Sequence, residues 1–280
     1  MKTYYNHNGK LFEVADPSVL ISDHSYRYGD GLFETMKLIK GKVPLLDLHI
    51  ERLFYSMQVL GFRVPVLFSK KNIEEEIIKV AEKNNCLLLG RVRLTVSRGN
   101  GGVNDCDDKL QYTIECRAAE ESINHLNENG FFIDAFPDAI KSCDKFSNLK
   151  SASYMHYIMG AKYAKENKLN DALILNQHGR ICEATIANIF WIKDDRIHTP
   201  PLSEGCVAGV MRKYLLEKIP AINRKTSETE LTIDELQNAE EVFLTNAVYG
   251  MRWVRGFRDK QYQNIQCIKL FQSILSPLWK

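Results

Sequence analysis

No apolar run in the 280-residue chain approaches the roughly 20 residues that a membrane-spanning helix needs. The opening Met1–His7 has no apolar core of a secretion signal, so the sequence predicts a cytoplasmic protein with no membrane partner. The seven cysteines are odd in number and contain no Cys-x-x-Cys pair. That pattern argues against a disulfide framework or a structural zinc, and each cysteine reads as a small packing residue in a reducing compartment. His49, His156, His178 and His198 show no metal-ligand spacing, and no metal is expected. Neither sign of charge dominates: the formal net charge is +2 and the basic residues are scattered, which gives no footprint for nucleic acid. What remains, 45% hydrophobic and 26% charged, is the composition of a globular protein large enough for two modest domains.

Alternation and turn signals set the organisation. Asn8-Gly9 between Tyr4-Tyr5 and Leu11–Val14 predicts a hairpin, and Lys40-Gly41 between Met36–Ile39 and Val43–Leu46 predicts another. Helical spacing predicts helices over 47–60 and 72–83. Two strands follow, with Val92, Leu94 and Val96 on one face of the first and Leu110, Tyr112, Ile114 and Cys116 on one face of the second. Alternation is lost from Ala118 to Gly130, which places a domain boundary near 120 and divides the chain into 1–120 and 121–280. The second half reads as strand 131–136, helix 152–167 and strands at 172–175, 186–192 and 196–199. A helix from Gly205 to about Lys218, a short helix at 232–238 and a strand at 241–245 complete it. The fold class is α+β, with hairpins dominating.

Three features in chain order carry chemistry. Lys150 sits just ahead of a predicted helix, Glu183 lies in Arg180–Phe190, and Gly205–Arg212 reads as the opening turn of a helix. An amine, a carboxylate and a helix N-terminus are what a pyridoxal 5′-phosphate (PLP) site needs. The amine condenses with the aldehyde, the acid pairs with the ring nitrogen, and the helix amides hold the phosphate. On residue types alone Lys141 and Lys145 are rivals of Lys150, and Glu183 reads equally as a polar residue opening a strand. Tyr154 can reach the cofactor's phenolic oxygen or simply pack. Thr245-Asn246-Ala247 ends a strand and offers further amides, and Arg52 offers a charge-assisted bond to phosphate. Arg98, at the tip of a Gly-rich loop, suits a substrate carboxylate.

Taken together, Tyr28–Thr35, His49-x-x-Arg52-Leu53, Lys150, Asp171-Ala172-Leu173, Glu183–Phe190, Thr199-Pro200-Pro201 and Gly209–Arg212 resemble the class IV aminotransferases, the fold type IV PLP enzymes. The resemblance implies a small N-terminal α/β domain, a larger C-terminal domain with a barrel-like sheet, bound PLP and a homodimer acting on a small amino substrate. By the same resemblance Lys150 carries the Schiff base and shuttles the proton, and Glu183 partners the pyridine nitrogen. Arg52 and the amides of Val210, Met211, Asn246 and Ala247 bind phosphate, Tyr154 contacts the cofactor, and Arg98 with Thr35 lines the substrate pocket.

Within that family, Ser97–Gly102, Ala187–Trp191 and Asn246-Ala247 are similar to the 4-amino-4-deoxychorismate lyases, which release pyruvate and leave 4-aminobenzoate, a folate precursor. The lyase reading is favoured, against two departures. Val103-Asn104-Asp105 stands where the lyase pattern has Arg-Gly-Tyr, and Ser153-Tyr154 stands where it has Asn-Arg. The tyrosine is more like the branched-chain transaminases, so a branched-chain or D-amino acid transaminase is the alternative. A PLP-binding protein without catalysis is the reading outside the enzymes.

Overall fold

The computed structural model describes residues 2–15 and 19–280 and divides into two compact units. The first comprises Met1–Glu121 together with Lys150–Tyr154; the second comprises Ser122–Leu149 and Met155–Lys280.

The N-terminal unit is a five-stranded antiparallel sheet with its two long helices on one face. Its elements are β1 (Tyr4–His7), β2 (Lys10–Glu13), α1 (His24–Tyr28), β3 (Gly31–Ile39), α2 (Leu46–Val59), α3 (Lys70–Lys83), β4 (Leu89–Ser97) and β5 (Gln111–Ala118), with strand order β2-β1-β5-β4-β3. The Asn8-Gly9 hairpin forms because both turn residues take positive φ, 49° and 84°, whose twist matches the flanking strands. The Lys40-Gly41 turn does not open a second hairpin. Only Ile39 and Lys42 bridge there, and Leu45, at φ 61°, swings the chain into α2. β3 instead pairs along its whole length with β4. The core face is what the alternation predicts: Val92, Leu94, Val96, Ile114 and Cys116 are buried, covered by Leu53 and Met57 of α2 and Ile73, Ile77 and Val80 of α3.

β3 is the edge strand, and the chain returns from the second unit to cover it. Phe33 N–H donates to the Lys150 carbonyl at 3.0 Å, Ala152 N–H donates to the Gly31 carbonyl at 2.8 Å, and Leu32 bridges Ser151. Residues 150–154 are therefore an added strip on this sheet rather than the start of a helix, which begins only at Met155.

The C-terminal unit is a nine-stranded sheet with helices. Its elements are β6 (Phe131–Lys141), α4 (Met155–Glu166), β7 (Asp171–Asn176), β8 (Ile181–Ala184), β9 (Asn188–Lys193), β10 (Arg196–Thr199), α5 (Val210–Lys218), β11 (Lys225–Glu228), α6 (Ile233–Gln237), β12 (Glu241–Asn246), β13 (Gly250–Phe257), β14 (Lys260–Gln261) and α7 (Ile265–Leu270). The order is β11-β10-β9-β12-β13-β6-β7-β8, with β14 on β13. β8 and β9 are joined by Thr185-Ile186-Ala187 alone, yet stand five places apart in that order. Five strand spacings of a flat sheet span about 24 Å, whereas the link reaches about 14 Å. The sheet must curl, and Ala184 N–H donating to the Ala187 carbonyl at 2.8 Å marks where its two regions approach. Ile133, Leu173, Ile189, Trp191, Leu244 and Val254 fill a core in this unit. The capping box that begins α6, Thr232 with Glu235, is fully formed.

One polar cluster lies inside the N-terminal unit. Glu34 of β3, 1% exposed, accepts from Arg52 Nε at 2.8 Å and from Arg52 Nη2, and lies 2.6 Å from His49 Nδ1. Burial acts to raise the Glu34 pKa, but the Arg52 charge and the His49 hydrogen bond outweigh it and hold the carboxyl at about 2. Burial lowers the His49 pKa, against the opposing pull of Glu34. Both residues thus favour the deprotonated form in the folded state, so stability falls with pH, first below the ordinary histidine value of 6.5 and then between 4.5 and about 2. Glu34→Gln should remove the lower of these two steps from denaturant titrations run across that range. Glu34→Ala, which leaves Arg52 without its counter-charge, should cost about 3–5 kcal/mol at pH 7 by the same measurement.

Candidate functional site

Lys150 reaches its position because the 150–154 strip pairs with β3. Its Nζ lies 4.5 Å from the centroid of the Phe33 ring, and Tyr154 meets the same ring edge-on at 5.4 Å and 74°. Arg93, opposite Thr35 in the β3–β4 register, places its guanidinium carbon 3.9 Å from the Phe33 centroid. Phe33, Thr35, Arg93 and Thr95 share the face of the sheet turned away from α2 and α3, because their side chains alternate with the core residues Leu32, Glu34, Leu94 and Val96. Arg93 is half-buried, which lowers its pKa, and Nε donates to Thr95 Oγ1 at 3.2 Å. Sequence reasoning passed over this arginine. The signal was present in the alternation of β4, which was read only for its apolar side.

Arg98 is differently placed. It grips Asp30 through Nε at 2.7 Å and Nη2 at 3.1 Å, donates to the Leu60 carbonyl at 2.9 Å, and stacks over Phe62 at 4.5 Å. Asp30 also lies 3.0 Å from His24 Nδ1. Burial opposes ionisation of Asp30, but the Arg98 and His24 hydrogen bonds prevail and lower its pKa. A substrate carboxylate would have to displace Asp30 to reach Arg98, whereas Arg93 hydrogen-bonds the neutral Thr95 and feels Glu115, opposite it on β5, through charge alone. Arg52, as described above, is bidentate to Glu34.

The C-terminal unit holds the remaining set. Glu183 lies in β8, 3% exposed, and its carboxylate takes donors from three elements. Oε1 accepts from Lys141 Nζ at 2.5 Å and from Tyr157 Oη at 2.7 Å, and Oε2 accepts from Val207 N–H at 3.0 Å. The turn that contains Val207 is pinned along its length. Asn148 Nδ2 donates to the Cys206 carbonyl at 2.7 Å, Ala208 N–H donates to the Asn148 carbonyl at 2.9 Å, and Asn188 Nδ2 donates to the Val207 carbonyl at 2.9 Å. The helix expected from Gly205 begins instead at Val210. Gly205, at φ 84°, ends a short preceding turn. Gly209 precedes the helix and has no room for a side chain: a Cβ there would sit 1.8 Å from Asn188 Oδ1. No side chain caps α5, so the amides of Val210 and Met211 point out of the helix start without a capping acceptor.

Asn246 and Ala247 end β12 in a turn. Asn246 Oδ1 accepts from Val248 N–H at 3.0 Å and Tyr249 N–H at 3.1 Å, which fixes that turn, and the buried Thr245 Oγ1 beside it has no hydrogen-bond partner. Cys182 and Cys206 flank Glu183 and are inert. Burial pushes the Cys206 thiol to about 12 and the Cys182 thiol well above its ordinary value. Among the described residues no cluster of histidine, cysteine and carboxylate could hold a metal ion, and no helix is long and apolar enough to cross a membrane.

The residues present fit an anionic, pyridine-containing group. A helix start without a side-chain cap presents the Val210 and Met211 amides, and a buried carboxylate with spare acceptor capacity is tied to the same turn. The chain shares 30% identity over 249 residues with the aminodeoxychorismate lyase of Bacillus subtilis, covering 86% of this chain and 82% of that protein. It shares 27% over 246 residues with the D-alanine aminotransferase of Bacillus licheniformis, covering 85% and 83%. Its fold superposes on the branched-chain aminotransferase of Thermoproteus uzoniensis with a TM-score of 0.89 at 18% identity, over 100% of this chain and 95% of that one. Residues 31–257 match the model of the amino-transferase class IV family, and with fold, glutamate and helix start in agreement the chain belongs to that family of PLP-dependent enzymes.

Proposed function

We propose that this chain uses PLP to labilise the proton on an amine-bearing carbon of its substrate, with Lys150 as the group that holds the cofactor and moves that proton. The observation that carries this reading is the hydrogen bond from Val207 N–H to Glu183. It ties a buried carboxylate, suited to the ring nitrogen, to the turn whose next residues offer the Val210 and Met211 amides to a phosphate. When bound, PLP supplies an electron sink for the negative charge left on the substrate carbon.

In this reading Glu183 keeps a proton on the ring nitrogen, Asn246 and Ala247 add donors for the phosphate, and Arg52, which pairs with Glu34 through Nε and Nη2, adds a further one from the rest of its guanidinium. Tyr154 orients the ring from the Phe33 side. The substrate carboxylate is met by Arg93 with Thr35, since Arg98 is committed to Asp30. The working unit is a homodimer.

For the substrate we propose 4-amino-4-deoxychorismate. The support is the 30% identity to the Bacillus subtilis lyase and the Ser97–Gly102 loop. Lys150 takes the proton from the carbon that bears the amino group. The bond from the ring to the enolpyruvyl oxygen then breaks, and the departing three-carbon unit gains a proton to become pyruvate while the ring becomes aromatic. The second reading, an amino acid transaminase, is favoured by Tyr154 beside Phe33 and by the 27% identity to the Bacillus licheniformis enzyme.

Incubation of the PLP-loaded protein with 4-amino-4-deoxychorismate should release pyruvate and 4-aminobenzoate in equal amounts without a keto acid. Turnover that requires a keto acid and an L- or D-amino acid would instead establish the transaminase. Borohydride reduction followed by peptide mapping should place the pyridoxyl mass on Lys150, and Lys150→Ala should lose both this mass and the turnover. Label on Lys141 or Lys145 would refute the assignment. Arg93→Ala should raise KM by roughly 10–100-fold, the range set by a lost charge-assisted bond of about 1.5–3 kcal/mol, while kcat changes little. An unchanged KM would remove Arg93 from the substrate contacts.

A further inference from the structure

Glu183 is served by more donors than a ring partner needs. Lys141 ends β6, Tyr157 lies in the first turn of α4, and Val207 lies in the turn before α5, so three separate elements of one unit converge on one carboxylate. Lys141 and Tyr157 both donate to Oε1, and the Lys141 ammonium sits 5.3 Å from the Tyr157 ring centroid, so the two donors also pack on each other. Lys141, Tyr157 and Glu183 are all buried. A carboxylate offers about four lone-pair sites. Both sites of Oε1 are filled, while Oε2 takes only the Val207 N–H and keeps one site open.

We propose that Lys141 and Tyr157 are positioning residues that saturate Oε1, so that Oε2 alone addresses the pyridine nitrogen of PLP and the proton between them stays on that nitrogen. The proposal rests on the reading of Glu183 given above. Hydrogen bonds to a carboxylate favour its charged form, and so does a neighbouring ammonium. With both donors in place the shared proton is better held by the ring. With either removed, the carboxyl competes for it. Tyr157 also fixes the plane of the carboxylate, because Val207 and Lys141 hold one oxygen each and a third contact prevents rotation about the side chain's terminal bond. Lys141, by residue type a rival for the Schiff base, is thereby given a different task.

The test uses full-length protein reconstituted with PLP labelled with 15N at the ring nitrogen. In Lys141→Met the 15N resonance should move towards the deprotonated position, and the pH at which it titrates should drop by about one unit or more. In Tyr157→Phe, which keeps the ring packing, the resonance should move in the same direction by a smaller amount. In both variants kcat should fall about ten-fold while KM stays within about two-fold. A purely structural role would change stability without moving the resonance. An unshifted 15N signal in Tyr157→Phe and Lys141→Met, at full PLP occupancy, overturns the proposal. Glu183→Ala separates the two layers. If its signal is also unshifted, the assignment of Glu183 itself fails. If it alone shifts, only the role of Lys141 and Tyr157 fails.

Discussion

A carboxylate buried to the depth of Glu183 costs several kcal/mol unless its charge and lone pairs are met. Lys141, Tyr157 and the Val207 amide meet them, and each donor commits a different stretch of chain. β6 must end where Lys141 can reach inward, α4 must start where Tyr157 faces β8, and the segment before α5 must lie against the same strand. The phosphate-suited amides of Val210 and Met211 inherit their position from that third commitment, because Gly209 and the Asn188 contact leave the turn no slack. Displacing the glutamate would therefore disturb both ends of the proposed cofactor grip.

The N-terminal unit shows a parallel device. Glu34 satisfies His49 and Arg52 on the helical side of β3, while one residue away Phe33 carries Lys150, Tyr154 and Arg93 against its ring on the other. The period of two along a strand sorts these two sets onto opposite faces, so one nine-residue strand anchors a buried ion pair and presents an aromatic platform. Lys150, Tyr154 and Arg93 lie against that ring, and Phe33 is nearly fully buried.

Much of this was legible in the sequence where local chemistry decides. The Asn8-Gly9 turn and the spacing of Ile73, Ile77 and Val80 announced a hairpin and a buried helix face. The family motifs gave Lys150 and Glu183 their expected roles. Elements decided by partners distant in sequence were not legible. Lys40-Gly41 has hairpin chemistry, but β3 finds its mate fifty residues later in β4 and the left-handed Leu45 diverts the chain. Ser151–Tyr154 has helix-compatible residues, but the open edge of β3 draws them into strand pairing and delays α4 to Met155. β13 carries Arg252 and Gly256 among its apolar residues, which blurs the pattern of a strand whose neighbours come from both ends of the unit. The task of Lys141 was hidden for the same reason: only the fold reveals what stands opposite it.

The return of residues 150–154 to the edge of β3 has a consequence for the modularity of the gene. A break at residue 121 looks like a natural seam, yet an N-terminal fragment cut there would lack the strip that covers its outermost strand and would expose unpaired backbone along it. It would also leave Lys150 behind. Recombination between relatives cannot trade the first unit as a single cassette. The strip lies between the two segments of the other unit, and it would have to travel with the strand it completes.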